Sequence, residues 1–323
     1  MRSSKKTSKQ IQHFFIGLLL CISVIFLSCS IAIRTWASTS VSVSVSNSAP
    51  EIIVGPVLTT FAGGGEMYSD GTISNLVAGD SRTVYIEGIV RDINGQQDVE
   101  NVRVVMHRSD SASSCVESGD RCIKNVNCNL SMGGNINNVL FSCPLTLPYY
   151  MDATDALAGI HSNLYWIVTA IATDDDGEQD VNNSRTIEVR SLLGLDIPTS
   201  ISFGTRAMNS ETSASNNVYQ TISQWGNVQQ DVRVKMISDG YSCSGAGSIP
   251  KENMKWATAD VGFSEASSVE MTQSYVDTDF GIGKRTGIAP VTKPFYWNIS
   301  IPYGVQGTCT ATLDMLAKNS NIP

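Results

Sequence analysis

Histidine is scarce in this chain, with three among 323 residues, and the motifs of common hydrolases and nucleotide-binding enzymes are missing. There is no G-x-S-x-G elbow, no H-E-x-x-H helix and no phosphate-binding loop. His107 lies within an alternating strand pattern, which predicts a surface or edge residue rather than a general base. His161 has no motif around it. The many carboxylates leave a two-carboxylate glycosidase open as an alternative. Because these acids concentrate in turns with Gly and Asn, the sequence predicts a non-catalytic protein.

Charged residues are also sparse, at 16% of the chain, and the cations are unevenly placed. Residues 1–37 contain five Lys/Arg and no acid, so 17 Lys/Arg and all 30 Asp/Glu remain for the rest. An acidic body lacks the clustered cations that neutralise phosphate, which excludes nucleic acid as an expected partner. It fits a solvated surface protein or one that recruits cations.

The first 37 residues have the pattern of an export signal. Lys5, Lys6 and Lys9 precede an apolar run at 14–33, and Ala37 ends the segment before a Ser/Thr/Val stretch. A basic region, an apolar region and a small residue at the boundary indicate secretion with cleavage after Ala37. The run is long enough to span a bilayer, so an uncleaved N-terminal anchor is the alternative. A weaker alternative is lipidation at Cys29, where residues 26–29 faintly resemble a lipoprotein box.

Short alternating segments joined by Gly, Asn and Asp clusters dominate the body. Such segments predict strands at 83–90, 102–107, 165–172 and 186–190, and then at 200–203, 218–223, 231–237, 295–301 and 308–317. This pattern favours an all-β protein with two tandem β-sandwich domains after the signal or anchor. The predicted segments are the signal or anchor (1–37), a Ser/Val strand or stalk (38–48), a first domain (49–191) and a second domain (192–323).

Six cysteines follow the signal, four in the first predicted domain and two in the second. Even numbers in an exported protein indicate disulfides. Cys243 and Cys309 then pair with each other, whereas three pairings are open for the first domain, whose cysteines are Cys115, Cys122, Cys128 and Cys143. Zinc is the competing interpretation, but the cysteines lack the close C-x-x-C pairs of a zinc site.

Two similar acidic stretches, 92–101 and 174–183, each follow an apolar strand and precede another. In a sandwich these turns emerge at the same end, where carboxylate and amide oxygens suit Ca²⁺. The sequence otherwise implies no cofactor. The alternative to a Ca²⁺ site is that Asp, Asn and Gly are ordinary turn residues. The candidate ligands are Asp92, Asn94, Asp98, Asp174, Asp176 and Asp180.

Several of these segments resemble known domains. The stretch 89–95 (IVRDING), with Val102 and Val104, resembles the early strands of Ig-like domains of the PKD and cadherin type, and 167–177 resembles their last strands. The stretches 201–204, 225–227 and 297–310 resemble a bacterial surface β-sandwich, with Cys309 where an aromatic residue is usual. The overall layout is similar to secreted surface proteins of uncultivated, very small bacteria. The resemblance implies an Ig-like fold and a cell-surface location, and no activity.

These observations predict an extracellular or cell-surface protein that acts as an adhesion or binding module. Its partner would be a surface protein or glycan, and it would meet a membrane only through an uncleaved N-terminal segment. The alternative is a structural subunit of a surface layer or filament.

Overall fold

The computed structural model describes residues 46–61, 71–73 and 76–320, apart from the side chains of 59–61. The predicted signal or anchor and all but the end of the Ser/Val stretch lie outside the described residues. The described residues from Asn47 onward belong to one compact unit. Within the described part of the chain, no helix is long and apolar enough to cross a membrane.

The prediction of an all-β protein is confirmed, because strands dominate and the described helices are short 3₁₀ turns at Gly159–His161 and Lys251–Asn253. Among the described residues, the strands up to residue 189 pair only with one another, and the strands from residue 195 onward pair only with one another. We call residues 47–191 the N-terminal half and residues 192–320 the C-terminal half. The Ig-like topology and the division into two domains stay predictions.

The N-terminal half has two sheets, of order β1-β3-β7-β6 and β2-β9-β8-β4-β5. All pairings are antiparallel except that of β2 with β9. The strands are β1 Glu51–Phe61, β2 Thr72–Ile73, β3 Ser81–Arg91, β4 Val99–Arg108, β5 Cys122–Asn125, β6 Asn129–Met132, β7 Asn138–Pro148, β8 Trp166–Asp174 and β9 Gln179–Val189.

One apolar core lies between these two sheets, because alternate residues of each strand point inward. On β7 the buried positions are Val139, Phe141, Cys143, Leu145 and Leu147. Phe141 lies over Gly88 of β3, where a Cβ atom would come within 2.4 Å of the Phe141 ring. The glycine therefore makes room for the aromatic ring in the core.

The C-terminal half has three smaller sheets, of order β10-β12-β19-β16-β17 with β11 also on β19, then β18-β13-β21, and β15-β14-β20. The strands are β10 Leu195–Asp196, β11 Ser210–Glu211, β12 Val218–Gln224, β13 Gln230–Met236, β14 Gly240–Cys243, β15 Ser248–Pro250, β16 Met254–Ala257, β17 Val269–Glu270, β18 Val276–Asp277, β19 Val291–Ile301, β20 Cys309–Thr310 and β21 Leu313–Asn319.

Two predicted strands of this half are wrong. Residues 200–203 form no strand, because the chain leaves the edge of β12 after Asp196 and Pro198 has no N–H to donate to a ladder. The predicted strand 308–317 is broken at 311–312, where the chain changes partner from β14 to β13.

Three disulfides link Cys115 with Cys122, Cys128 with Cys143, and Cys243 with Cys309. The first two lie within the N-terminal half and the third joins paired positions of β14 and β20. No disulfide of the described chain crosses from one half to the other.

Polar and aromatic side chains hold the two halves together. The Asn227 side chain accepts a hydrogen bond from Leu192 N at 2.6 Å and donates one to Arg190 O at 3.1 Å, which secures the connecting segment. Trp225 packs beside Tyr149 with ring centroids 5.7 Å apart. The buried Arg285 guanidinium lies 4.1 Å from the centroid of the Trp225 ring.

A buried carboxylate also joins the halves. Asp152 is 1% exposed and forms salt bridges with Arg108 of its own half and Lys284 of the C-terminal half. Arg108 also binds Asp110 through two hydrogen bonds of 2.7 Å, and its Nη1 lies 3.1 Å from His161 Nε2. The Asp152 carboxylate therefore neutralises cations from both halves.

Candidate functional site

The two acidic turns lie side by side at one end of the N-terminal half, as the sequence predicts. The first follows β3 and the second joins β8 to β9. Asp175 N donates a hydrogen bond of 2.9 Å to Asp98 O, which connects the turns directly.

The first turn buries its leading acid. Asp92 ends the apolar run of β3 and is 0% exposed. Its Oδ1 accepts a hydrogen bond of 2.8 Å from Asn94 N, and the chain then turns through Gly95, whose φ is 128°. A positive φ is accessible to Gly without strain, so the turn can bring Asp98 back beside Asp92.

The second turn has the same design. Asp174 ends β8, is 0% exposed, and accepts a hydrogen bond of 2.7 Å from Glu178 N at Oδ1. Gly177, with φ of 90°, closes the turn. The Asp174 Oδ2 atom accepts a hydrogen bond of 2.8 Å from Asn47 Nδ2, so the start of the compact unit docks onto this turn.

Three of the predicted ligands converge. Asp92, Asp98 and Asp174 each place a carboxylate oxygen within 4.8 Å of the others. The Oδ2 atoms of Asp92 and Asp98 are buried and have no hydrogen-bond partner among the described residues. We call these three carboxylates the acidic cluster.

The other three predicted ligands lie outside the cluster. Asn94 Oδ1 accepts a hydrogen bond of 3.1 Å from Ser48 N. Asp180 lies on β9 and accepts hydrogen bonds from Ile52 N at 2.7 Å and Val181 N at 2.9 Å. Asp176 is exposed at the tip of its turn. A local similarity in sequence places the turns together, but the direction of each side chain depends on the path of the strands.

Two residues near the cluster were not predicted. Gln96, in the first turn, has a buried Oε1 atom without a partner among the described residues. The Asp175 carboxylate raises the pKa of Asp98. Gln96 lies inside the repeated acidic pattern, and the triple acid 174–176 contains Asp175, so both had a signal in the sequence.

The carboxyl group of Asp98 has a raised pKa. Burial, as the largest cause, and the neighbouring carboxylates of Asp175, Asp92 and Asp174 together raise the pKa of Asp98 to about 6. A carboxylate beside other carboxylates holds its proton more tightly because the ionised form is disfavoured.

The cluster offers carboxylate oxygens as possible metal ligands, and neither His107 nor His161 belongs to it. The prediction that His107 lies at the surface or at an edge is wrong: this side chain is 5% exposed, with Nε2 3.3 Å from Thr169 Oγ1 and Nδ1 3.2 Å from Arg108 O. His107 thus takes part in a buried hydrogen-bond network of β4 and β8.

No protein-family model and no curated protein matches this chain. One solved structure is described as a chaperone–tip adhesin complex that is vital for synergistic activation of CFA/I fimbriae biogenesis. It aligns over 85% of this chain and 92% of its own, at 7% identity and a TM-score of 0.27. The similarity is weak.

Proposed function

We propose that this chain is an exported, non-catalytic adhesion or binding module that takes its ligand, a surface protein or glycan, in the C-terminal half. Three disulfides support an extracellular location, because such bonds persist in oxidising compartments. The acidic body supports a partner other than nucleic acid.

The observation that carries this proposal is a pair of adjoining clefts. Their volumes are about 520 and 590 Å³, and both are lined by Ile201, Tyr241 and Cys309. Ligand sites in proteins are concave, and the polar groups that line them orient the ligand. Together the clefts could take an extended ligand rather than a compact one.

A single irregular segment, residues 197–208, crosses the clefts, and we call it the strap. Residues 197–206 belong to no strand and to no hydrogen-bonded turn of the described chain. It is attached by side chains: Gln220 Nε2 donates to Ser200 O at 2.5 Å, and Arg206 Nη2 donates to Asn216 O at 2.6 Å. A segment without ladder bonds can move at low cost when a ligand enters.

Tyr241 lies where the clefts meet and offers a polar group to a ligand. Its hydroxyl donates to Met254 Sδ at 2.9 Å, and burial raises the pKa of this phenol. Thioether sulfur is a weak acceptor, so a ligand oxygen would make a stronger hydrogen bond.

The proposal is tested by probing the exported chain on a glycan array and on an array of extended peptides. Ile201→Trp would fill the clefts, and Leu316→Trp, on the exposed face of β21, is the matched control. We expect saturable binding on one array that Ile201→Trp weakens at least tenfold and Leu316→Trp leaves unchanged. Binding on neither array, or equal loss in both variants, would refute the proposal.

One observation favours the structural-subunit alternative. On the outer face of the four-stranded sheet, Val54, Ile89 and Leu140 lie opposite one another across β1, β3 and β7. Val54 is 40% exposed and Leu140 is 42% exposed, and rows of exposed apolar residues mark interfaces. Under this alternative, light scattering would find oligomers that Leu140→Lys dissociates, whereas the binding module is a monomer.

A further inference from the structure

The acidic cluster leaves buried oxygen atoms without a partner. Buried polar side chains are nearly always hydrogen-bonded, because desolvation without compensation is costly. Asp92 is 0% exposed, yet its Oδ2 has no hydrogen-bond donor among the described residues, and the same holds for Oδ2 of Asp98. These atoms face other carboxylates, which can only accept when ionised.

A cation would satisfy all of these atoms at once. The turns hold their acids by backbone hydrogen bonds that use Oδ1 of Asp92 and Oδ1 of Asp174. Oδ2 of Asp92 is left without a donor among the described residues, whereas Oδ2 of Asp174 accepts a hydrogen bond from Asn47. Both acids lie at the ends of strands, β3 just before Asp92 and β8 at Asp174, so their positions are set by the sheets. A site whose ligands are placed before the ion arrives loses little conformational entropy on binding.

We propose that Asp92, Asp98 and Asp174 bind one Ca²⁺ ion at this end of the N-terminal half. The donors are carboxylate oxygens, which hard cations prefer. Ca–O bonds of about 2.3–2.6 Å let two ligands on opposite sides stand roughly 5 Å apart, whereas Mg²⁺ with bonds of about 2.0–2.1 Å requires a tighter set. The three oxygens lie within 4.8 Å of one another, which leaves room for Ca²⁺ between them. Water and second carboxylate oxygens complete the coordination shell.

The bound ion affects the start of the compact unit. Asn47 Nδ2 donates to Asp174 Oδ2, so an ion bound through this oxygen would have to share it with the Asn47 amide. Ca²⁺ and an N–H donor compete for this oxygen, so the Asn47 amide must turn its carbonyl oxygen to the ion or withdraw. In either case Ca²⁺ changes how residues 47–48 attach to the turns.

The test is calorimetric titration of the exported protein, treated with a chelator, with Ca²⁺ and separately with Mg²⁺. The matched variants are Asp92→Asn and Asp176→Asn, which remove one negative charge from the same end, at a buried and at an exposed position. Asp98→Asn serves as a second cluster variant. Melting curves without Ca²⁺ check that each variant folds.

We expect one Ca²⁺ per chain, with affinity in the roughly 10⁻⁴–10⁻³ M range of extracellular modules or tighter. Asp92→Asn and Asp98→Asn should weaken binding at least tenfold, Asp176→Asn less than threefold, and Mg²⁺ should bind at least tenfold more weakly than Ca²⁺. Absence of saturable binding in the folded wild-type protein overturns the proposal. So does an equal loss in Asp92→Asn and Asp176→Asn, which would show diffuse attraction to the acidic end. Failure here leaves the proposed ligand clefts untouched, because they lie in the other half.

Discussion

Replacing Asp152 with Asn should destabilise the protein markedly, because Asp152 is 1% exposed and neutralises Arg108 and Lys284. Removing one partner of a buried ion pair costs about 3–5 kcal/mol. Arg108 keeps its two bonds to Asp110, and the Lys284 side chain is 24% exposed. The loss should therefore fall near the lower end, at about 3 kcal/mol.

The assay is urea unfolding followed by circular dichroism and tryptophan fluorescence, supported by calorimetric melting. A loss of about 3 kcal/mol corresponds to a fall in Tm of roughly 6–9 °C for a chain of this size. Lys284→Met should cost less, at about 1–2 kcal/mol, because Asp152 keeps Arg108.

The control is Lys251→Met, whose partner Asp239 is 77% exposed. Exposed ion pairs contribute about 0–1 kcal/mol, so this variant should melt within a degree or two of the wild type. If Asp152→Asn melts at the same temperature as Lys251→Met, the salt bridges of Asp152 do not hold the halves together and the reasoning fails.

Four further predictions concern a core glycine, a disulfide, an ion pair and the N-terminus. Gly88→Ala should lower the free energy of unfolding by about 1–3 kcal/mol in urea titrations, because the new Cβ meets the Phe141 ring; an unchanged value would mean that the core repacks freely. Cys243→Ser with Cys309→Ser, which opens a bridge over 66 residues, should cost about 4 kcal/mol in the same assay, and thiol titration of the unreduced wild type should find no free thiol. Arg233 and Lys318 lower the pKa of Asp277 to about 2, so this ion pair stabilises fully above about pH 4 and is lost as pH falls towards 2; Asp277→Asn should flatten the acid limb of a stability–pH curve. N-terminal sequencing of the exported protein should begin near Ser38, and an intact Met1 in the membrane fraction would instead establish the anchor.

The order of strands around the acidic turns was predictable because local signals agree there. An apolar strand, an acid, a glycine and a second strand occur twice in the N-terminal half. Both copies form turns that place the leading acid in a buried position. Which acids converge was not predictable, since Asp98 joins the cluster while Asp180 turns away to bind Ile52 N.

Strand β7 shows a signal that strand prediction overlooked. Its buried positions alternate from Val139 to Leu147 with a period of two, but Cys143 and two prolines interrupt the pattern of typical strand residues. The cysteine packs in the core like an apolar residue and pairs with Cys128. Disulfide bonding and strand membership are compatible properties of one residue.

Contacts between distant segments lay beyond sequence reasoning. Asp152 and Lys284 are 132 positions apart, and neither has a neighbour that marks it as a partner. Residues 251–287 match no known pattern, yet they supply Phe280 and Arg285 to buried positions. Burial of Phe280 depends on how the sheets of the C-terminal half pack, and burial of Arg285 depends on how the two halves meet. A one-dimensional pattern contains neither.

The confinement of each disulfide to one half has a kinetic consequence. Six cysteines allow 15 pairings if all are present at once. Synthesis is vectorial, so the four cysteines at 115, 122, 128 and 143 are available before Cys243 and Cys309. If the first four pair as they emerge, the choice falls to three, and the last two cysteines then have only each other. The order of the cysteines along the chain thus favours the native pairing when disulfides form as the chain emerges.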